Sequence, residues 1–431
     1  MRRFYKITSI FLVILLSLTG LSATQVLAQN NIKPRILISS DIGGTDDDDF
    51  QSAVHLLMYA NLFQIEGLVS SPFGKGTKKD FLKIIDLYEK DLPKLKKQAE
   101  GFPDPINLRD ICKQGAKEIA PFKGFNQSTE GSNWIIQKAN KKNMLPLYIL
   151  VWGGLEDLAQ ALHDDPGIKK NIRVYWIGGP NKKWSANAYA YIAQNFPDLW
   201  MIECNATYRG LIIDAEATKD FKAATYFENV IKGHGEMGKA FANWYNGRPK
   251  MGDTPSLGYL MKGDPNYPTG ESWGGSFVSI NRSSRKIFNR NTTISDTIPA
   301  YGMVEWRFKG PIKNTNDTVV CFTMKIGGQI FPGYYLGGGN YGIRYVSKAP
   351  EVCKYIIWSE IPALNNQKGE FVSIISFPGK PNNDDFKLGK YWYGDRLSPE
   401  FFLGEQQGAR TIAKYREAFL ADWGKRWKWL E

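Results

Sequence analysis

The chain has only three histidines in 431 residues, His55, His163 and His234. Imidazole chemistry therefore has little to draw on, whether for metal binding, nucleophile activation or proton shuttling. Its four cysteines, Cys112, Cys204, Cys321 and Cys353, show no C-x-x-C spacing, which argues against a zinc site. Beyond the amino-terminal leader no apolar run is long enough to span a bilayer. Basic residues exceed acidic ones, 55 to 43, for a net charge of +12, but they are scattered, as in Lys94-Leu95-Lys96-Lys97 and Lys141-Lys142. No basic stripe is interleaved with aromatics, so a solvated lysine-rich surface is expected and no nucleic-acid polymer as partner. Any catalysis falls to carboxylates.

The leader reads as a processing signal. Arg2, Arg3 and Lys6 form a positive start, Ile10 to Leu21 is an apolar core too short for a membrane helix, and Val26-Leu27-Ala28 precedes a cut after Ala28. With residues 1–28 as a signal peptide and no cysteine near the cut, the expectation is a periplasmic or secreted protein without a membrane anchor.

The stretch Ser39-Ser40-Asp41-Ile42-Gly43-Gly44-Thr45-Asp46-Asp47-Asp48-Asp49 concentrates the chemistry. It follows Arg35-Ile36-Leu37-Ile38, which reads as a buried parallel strand. It precedes Ala53, Val54, Leu57 and Met58, which repeat at helical spacing. Five carboxylates thus occupy the turn at the carboxyl end of a strand, where open α/β sheets place their ligands. Capping and the helix dipole account for one or two of them. A divalent cation with hard oxygen ligands accounts for Asp41 together with four consecutive aspartates.

From Lys33 to about Val278 short apolar strands alternate with helical patterns: Ile65–Ser70, Leu147–Trp152, Ile172–Ile177 and Leu199–Ile202 are the expected strands. The fold class is α/β, a mostly parallel sheet with helices on both faces. Over 290–378 period-2 strands separated by Gly-, Pro- and Asn-rich turns predict an inserted all-β sandwich. Cys321 and Cys353 both lie in it, and export permits a disulfide, a pairing the sequence leaves open. After Asp385 the texture becomes helical again. Phe419, Trp423 and Trp427 repeat at helical spacing, so 385–431 is expected to return to the first domain, 33–289.

Several motifs together carry a resemblance. These are Asp41-Ile42-Gly43-Gly44, Asp48-Asp49-Phe50-Gln51-Ser52, Glu203-Cys204-Asn205-Ala206-Thr207-Tyr208-Arg209-Gly210, Met251-Gly252-Asp253-Thr254-Pro255-Ser256 and Glu271-Ser272-Trp273-Gly274-Gly275. The first domain resembles the calcium-dependent nucleoside hydrolases. More closely it resembles a family of secreted nucleoside-hydrolase-like proteins, some described as cellulose-binding. Val304-Glu305-Trp306-Arg307-Phe308 and Gly333-Tyr334-Tyr335 resemble an Ig-like module found beside some glycoside hydrolase domains.

The resemblance implies a Ca²⁺ cofactor held by Asp41, Asp49, the main-chain carbonyl of Trp152 and Asp253, with Asp48 deprotonating the attacking water. It also exposes departures. Ser39 stands where the family has its first strand-end aspartate, and Gly74 where it has a sugar-binding asparagine. Ser185 replaces the acidic member of a sugar-binding pair whose partner is Asn187, and Gly252 replaces the histidine before the late aspartate. Glu203, Asn205, His234 and Glu271 are candidate substitutes for substrate binding, each equally open to a cap or core hydrogen bond. Trp273 is open to packing or to stacking on a sugar. The expected function is an exported Ca²⁺-dependent glycosidase of nucleoside-hydrolase type acting on a ribosyl or other small glycoside. The alternative is a glycan-binding protein that kept the metal site and lost turnover.

Overall fold

The apolar segments expected as strands form the centre of a computed structural model that describes residues 33–71 and 74–431; the leader expected over 1–28 lies outside the described residues. In chain order they are β1 (Arg35–Ser40), β2 (Gln64–Ser70), β3 (Cys112–Gln114), β4 (Leu147–Val151), β5 (Ile172–Ile177), β6 (Met201–Cys204) and β7 (Phe277–Ser279). Every residue of β1 and β4 is buried, as strands covered on both faces require. β1 runs parallel to β2 on one side and β4 on the other, and the order β3-β2-β1-β4-β5-β6 is parallel throughout.

Alternation along the strands feeds two cores. Ile36 and Ile38 point to one face, among side chains of α1 (Asp48–Met58) and α2 (Lys78–Gln98). Leu37, Ile149 and Val151 point to the other, against α3 (Glu130–Ala139), α4 (Glu156–Asp164) and α5 (Ala186–Asn195). The aromatic run near the carboxyl terminus is α6 (Arg416–Trp427), and its Phe419, Trp423 and Trp427 complete the first core.

A second sheet is all β. After the short β8 (Arg282–Ser283) come β9 (Arg285–Phe288), β10 (Thr297–Pro299), β11 (Met303–Lys309), β12 (Val320–Ile326), β13 (Gln329–Gly337), β14 (Asn340–Val346), β15 (Glu351–Trp358) and β16 (Lys368–Ile374). They pair in the order β10-β16-β15-β12-β13-β14-β11-β9. Trp306 on β11 meets Tyr355 on β15 and Phe371 on β16, with ring centroids 5.0 and 5.8 Å away. Strands at opposite ends of the sheet therefore face each other across one core, and the sheet closes as a sandwich.

The proposed cysteine bridge has no place in this ladder. Thr323 pairs with Trp358 and Ile326 with Tyr355, so Cys321 and Cys353 sit at opposite ends of the β12–β15 pairing, and both are free thiols.

After β16 the short β17 (Phe386–Lys387) pairs with β8, and the chain then re-enters the first sheet. There β18 (Trp392–Asp395) lies parallel to β6 and antiparallel to β7. The helical texture expected after Asp385 is thus preceded by a strand, and α6 follows from Arg416. A four-residue strand is too short to show periodicity beside an aromatic helix. The sandwich is also tied to the first sheet's helical layer. Arg344 on β14 donates to the Phe122 carbonyl at 2.7 Å and lies 3.6 Å over the Phe122 ring, while Trp184 packs on Phe331. Among the described residues no helix is long and apolar enough to cross a membrane.

Candidate metal centre and active site

The acidic turn lies at the carboxyl ends of β1 and β4. The Ser39 carbonyl accepts from Trp152 N–H at 2.7 Å, and the Ser40 carbonyl accepts from Ser71 N–H at 2.7 Å. Asp41 follows at once, in a turn closed by Gly44 N–H donating to the Asp41 carbonyl. Gly43 has φ +78°, and a β-carbon there would strike the Asp80 carboxylate. Asp47 is the residue before α1 and makes no side-chain cap. Capping thus does not account for it.

Three carboxylates converge. One oxygen each from Asp48, Asp49 and Asp253 lies within 4.8 Å of the others. Exposure is 9% for Asp41, 8% for Asp48, and 3% for both Asp49 and Asp253. Burial, then repulsion from Asp48, pushes the Asp41 carboxyl well above the ordinary range. Burial and the charges of Asp41 and Asp48 do the same to Asp49; burial and the charge of Asp49 do so to Asp253. Asp48 rises to about 7, burial outweighing the attraction of Lys250. Asp253 Oδ2 is buried with no hydrogen-bond partner among the described residues. An orphaned carboxylate oxygen beside two others fits a hard divalent cation and is costly without one.

The polypeptide holds these groups firmly. Ser40 Oγ donates to Asp49 Oδ1 and accepts from Ile42 N–H at 3.0 Å. Gln51 on α1 clamps the loop that delivers Asp253. Its Oε1 accepts from Lys250 and Met251 N–H at 2.7 and 3.2 Å, and its Nε2 donates to the Trp244 and Arg248 carbonyls. Met251 adopts φ +49° within that loop. Trp152 Nε1 donates to Ser256 Oγ, which donates to the Asp253 carbonyl, so the ends of β4 and of the late loop are joined. The Trp152 carbonyl accepts from Asn181 Nδ2 at 3.0 Å, and Asp41 packs against Gly153. In the sequence Gln51 stands only as part of a motif, with no role, and Asn181 is not singled out; an amide that bonds backbone has no spacing signature.

Gly252 N–H donates to Asp48 Oδ2 at 3.1 Å, and Lys250 Nζ lies 3.6 Å from the same oxygen while pairing with Asp46. The space a side chain at 252 would use is taken by the Asp48 carboxylate.

The candidate substrate residues have partners of their own. Glu203 is fully buried, paired with Lys182 at 2.5 Å and bonded by Tyr189, Trp392 and Asn205. Asn205 Oδ1 is buried beside Gly178, without a hydrogen-bond partner among the described residues. Asn187 bonds the Ala120 carbonyl and accepts from Arg344. His234 lies against Glu431, Glu271 pairs with Lys414 and Tyr415 on the surface, and Trp273 packs edge-on against Phe419. Ser185 Oγ donates to Glu156 Oε2, so a carboxylate is present beside the position where the sequence lacks one.

A family described as cellulose-binding Sde182, nucleoside hydrolase-like domain, matches residues 35–277, and a domain of unknown function, DUF5060, matches residues 297–360. Curated proteins give no match. Among solved structures, a nucleoside hydrolase-related protein from Saccharophagus degradans, associated with carbohydrate metabolism, is 18% identical. That alignment covers 79% of this chain and 99% of that one, with a TM-score of 0.48. An inosine-uridine preferring nucleoside hydrolase from Bacillus anthracis is 16% identical, covering 59% and 87%, with a TM-score of 0.38. A purine-preferring ribonucleoside hydrolase from Gardnerella vaginalis is 13% identical, covering 58% and 84%, with a TM-score of 0.32. The match over more than half of its residues means that the chain belongs to the cellulose-binding Sde182 nucleoside hydrolase-like family.

Proposed function

We propose that the protein is an exported, calcium-dependent glycosidase that cleaves an N-ribosyl or other small glycosidic bond. The observation that carries this reading is the convergence of Asp48, Asp49 and Asp253, with Asp253 Oδ2 buried and unpartnered among the described residues. Asp41, Asp49, Asp253 and the Trp152 carbonyl would hold Ca²⁺, oxygen donors of the kind it prefers. When bound, the ion supplies Lewis acidity toward water and a grip on neighbouring sugar hydroxyls. Asp48 takes the proton of the attacking water at Oδ2, oriented by Gly252 N–H. Clustered carboxylates stabilise the oxocarbenium-like charge that develops on the sugar.

One observation favours a second reading, a glycan-binding protein with weak or no turnover. Gly252 offers no side chain to protonate a leaving group, and a β-carbon there would strike Asp48 Oδ2. The test is release of p-nitrophenol from p-nitrophenyl riboside, and of base from inosine and uridine, with added Ca²⁺. Turnover that disappears in Asp48→Ala supports the glycosidase. No turnover, with retention on insoluble cellulose, supports the binder.

A further inference from the structure

We infer that the cleft at the opposite end of the first sheet, below the amino ends of β4, β5, β6 and β18, is a second binding site, for an anionic oligosaccharide of the uronate type. The cleft has a volume of about 800 Å³, room for a few sugar rings. It is far along the strands from the acidic turn, which sits at their carboxyl ends.

Its charge is one-sided. Lys141 and Lys142 follow α3, and Lys169 and Lys170 end the turn before β5; all four line the cleft. None of them makes an ion pair among the described residues, and Asp198 is the only acidic residue in the lining. On the cleft wall Arg173 is a guanidinium fixed without a carboxylate. Its Nη1 donates to Tyr148 OH at 2.7 Å and Asn266 Oδ1 at 2.6 Å, and its Cζ stands 5.3 Å over the Trp200 ring. Both partners are neutral, so no carboxylate of the cleft pairs with this guanidinium. Arg is the side chain best shaped to receive a carboxylate in two parallel hydrogen bonds.

The rest of the lining suits a sugar more than a bare anion. Trp200 and Tyr393 rings lie 5.7 Å apart, and Tyr391 in the same lining is 42% exposed with Lys390 Nζ 4.7 Å over its ring, so aromatic surface and a further cation stand side by side for a sugar's C–H edge and its carboxylate. Asn140, Asn143 and Asn171 add amides that donate to and accept from hydroxyls. Cation, aromatic face and amides together match a polyhydroxylated ring that carries a carboxylate.

The experiment is calorimetric titration of the full mature chain with a galacturonate hexamer. Cellohexaose, double-stranded DNA and phosphatidylglycerol vesicles are run in parallel. Binding to the hexamer at about 50 mM salt is expected, weakening at about 500 mM as screening requires. Arg173→Gln and Tyr391→Ala should each weaken it about ten-fold or more, the loss of one charge-assisted contact or one stacked ring. Asp48→Ala should bind as the parent does. Where Arg173→Gln lowers the melting temperature, Lys169→Glu with Lys170→Glu reads the same charge from the surface. No binding to the hexamer overturns the inference. So does equal binding to DNA or vesicles with no effect of Tyr391→Ala, which marks a bare charge patch, and so does cellohexaose binding that ignores salt.

Discussion

Gly252 and Asp48 are fitted to each other: the Gly252 amide donates to Asp48 Oδ2, and a methyl group at 252 would press on that same oxygen. Gly252→Ala is therefore expected to push the Asp48 carboxylate off its position. Displacement of a reacting group by an ångström costs about 10²-fold in rate. The release assay should show that loss in Gly252→Ala, with the calcium-dependent rise in melting temperature preserved, because Asp41, Asp49 and Asp253 stay in place.

Cation binding should be readable as stability. The carboxylates of Asp41, Asp49 and Asp253 are buried and repel one another, so an ion that binds only the folded chain relieves them. At a Ca²⁺ concentration about 100 times its dissociation constant the gain is about 2.7 kcal/mol. Differential scanning fluorimetry with EDTA and with Ca²⁺ measures it. Asp253→Asn should abolish the increment. An unchanged melting temperature in EDTA would remove the metal centre.

The acidic turn was legible because strand, turn and helix are contiguous, so carboxylate placement followed from local pattern alone. Glu203 was not. Its carboxylate looks like a ligand in sequence, but Lys182 and Trp392 claim it from other strands and helices. Gln51 and Asn181 hold backbone carbonyls far along the chain, which no spacing announces. β18 was hidden for a related reason. Its four residues gain their strand state from β6 and β7, not from their own periodicity.

Stability in EDTA should fall as pH rises from about 4 to about 7. Burial raises Asp395 and Glu156 to about 7 and Asp157 to about 6. For each the folded chain binds a proton that the unfolded chain has already lost, so the slope of stability against pH is negative across that window. The four aspartates of the metal centre add to it. Ca²⁺ should cancel their share and leave that of Asp395, Glu156 and Asp157, and Asp395→Asn should make the remaining slope shallower. Thermal melts at half-unit pH steps, with and without Ca²⁺, separate the two.

Glu203 offers the clearest division between ligand and scaffold. Its carboxylate and the Lys182 ammonium are both fully buried. The remaining lone pairs receive Tyr189 OH, Asn205 Nδ2 and Trp392 Nε1. Nothing is left to bind a sugar. Glu203→Gln leaves a buried cation without its counter-charge, which typically costs about 3–5 kcal/mol, and denaturant titration should register a loss of that order. Pairing Lys182→Met with Glu203→Leu removes both charges and should recover part of it, the residue being the orphaned donors of Tyr189 and Trp392. If Glu203→Gln instead kept full stability and lost affinity for a riboside, the carboxylate would face substrate. Its four donors from four segments of the chain, around a side chain with no exposure, argue that stability is what moves.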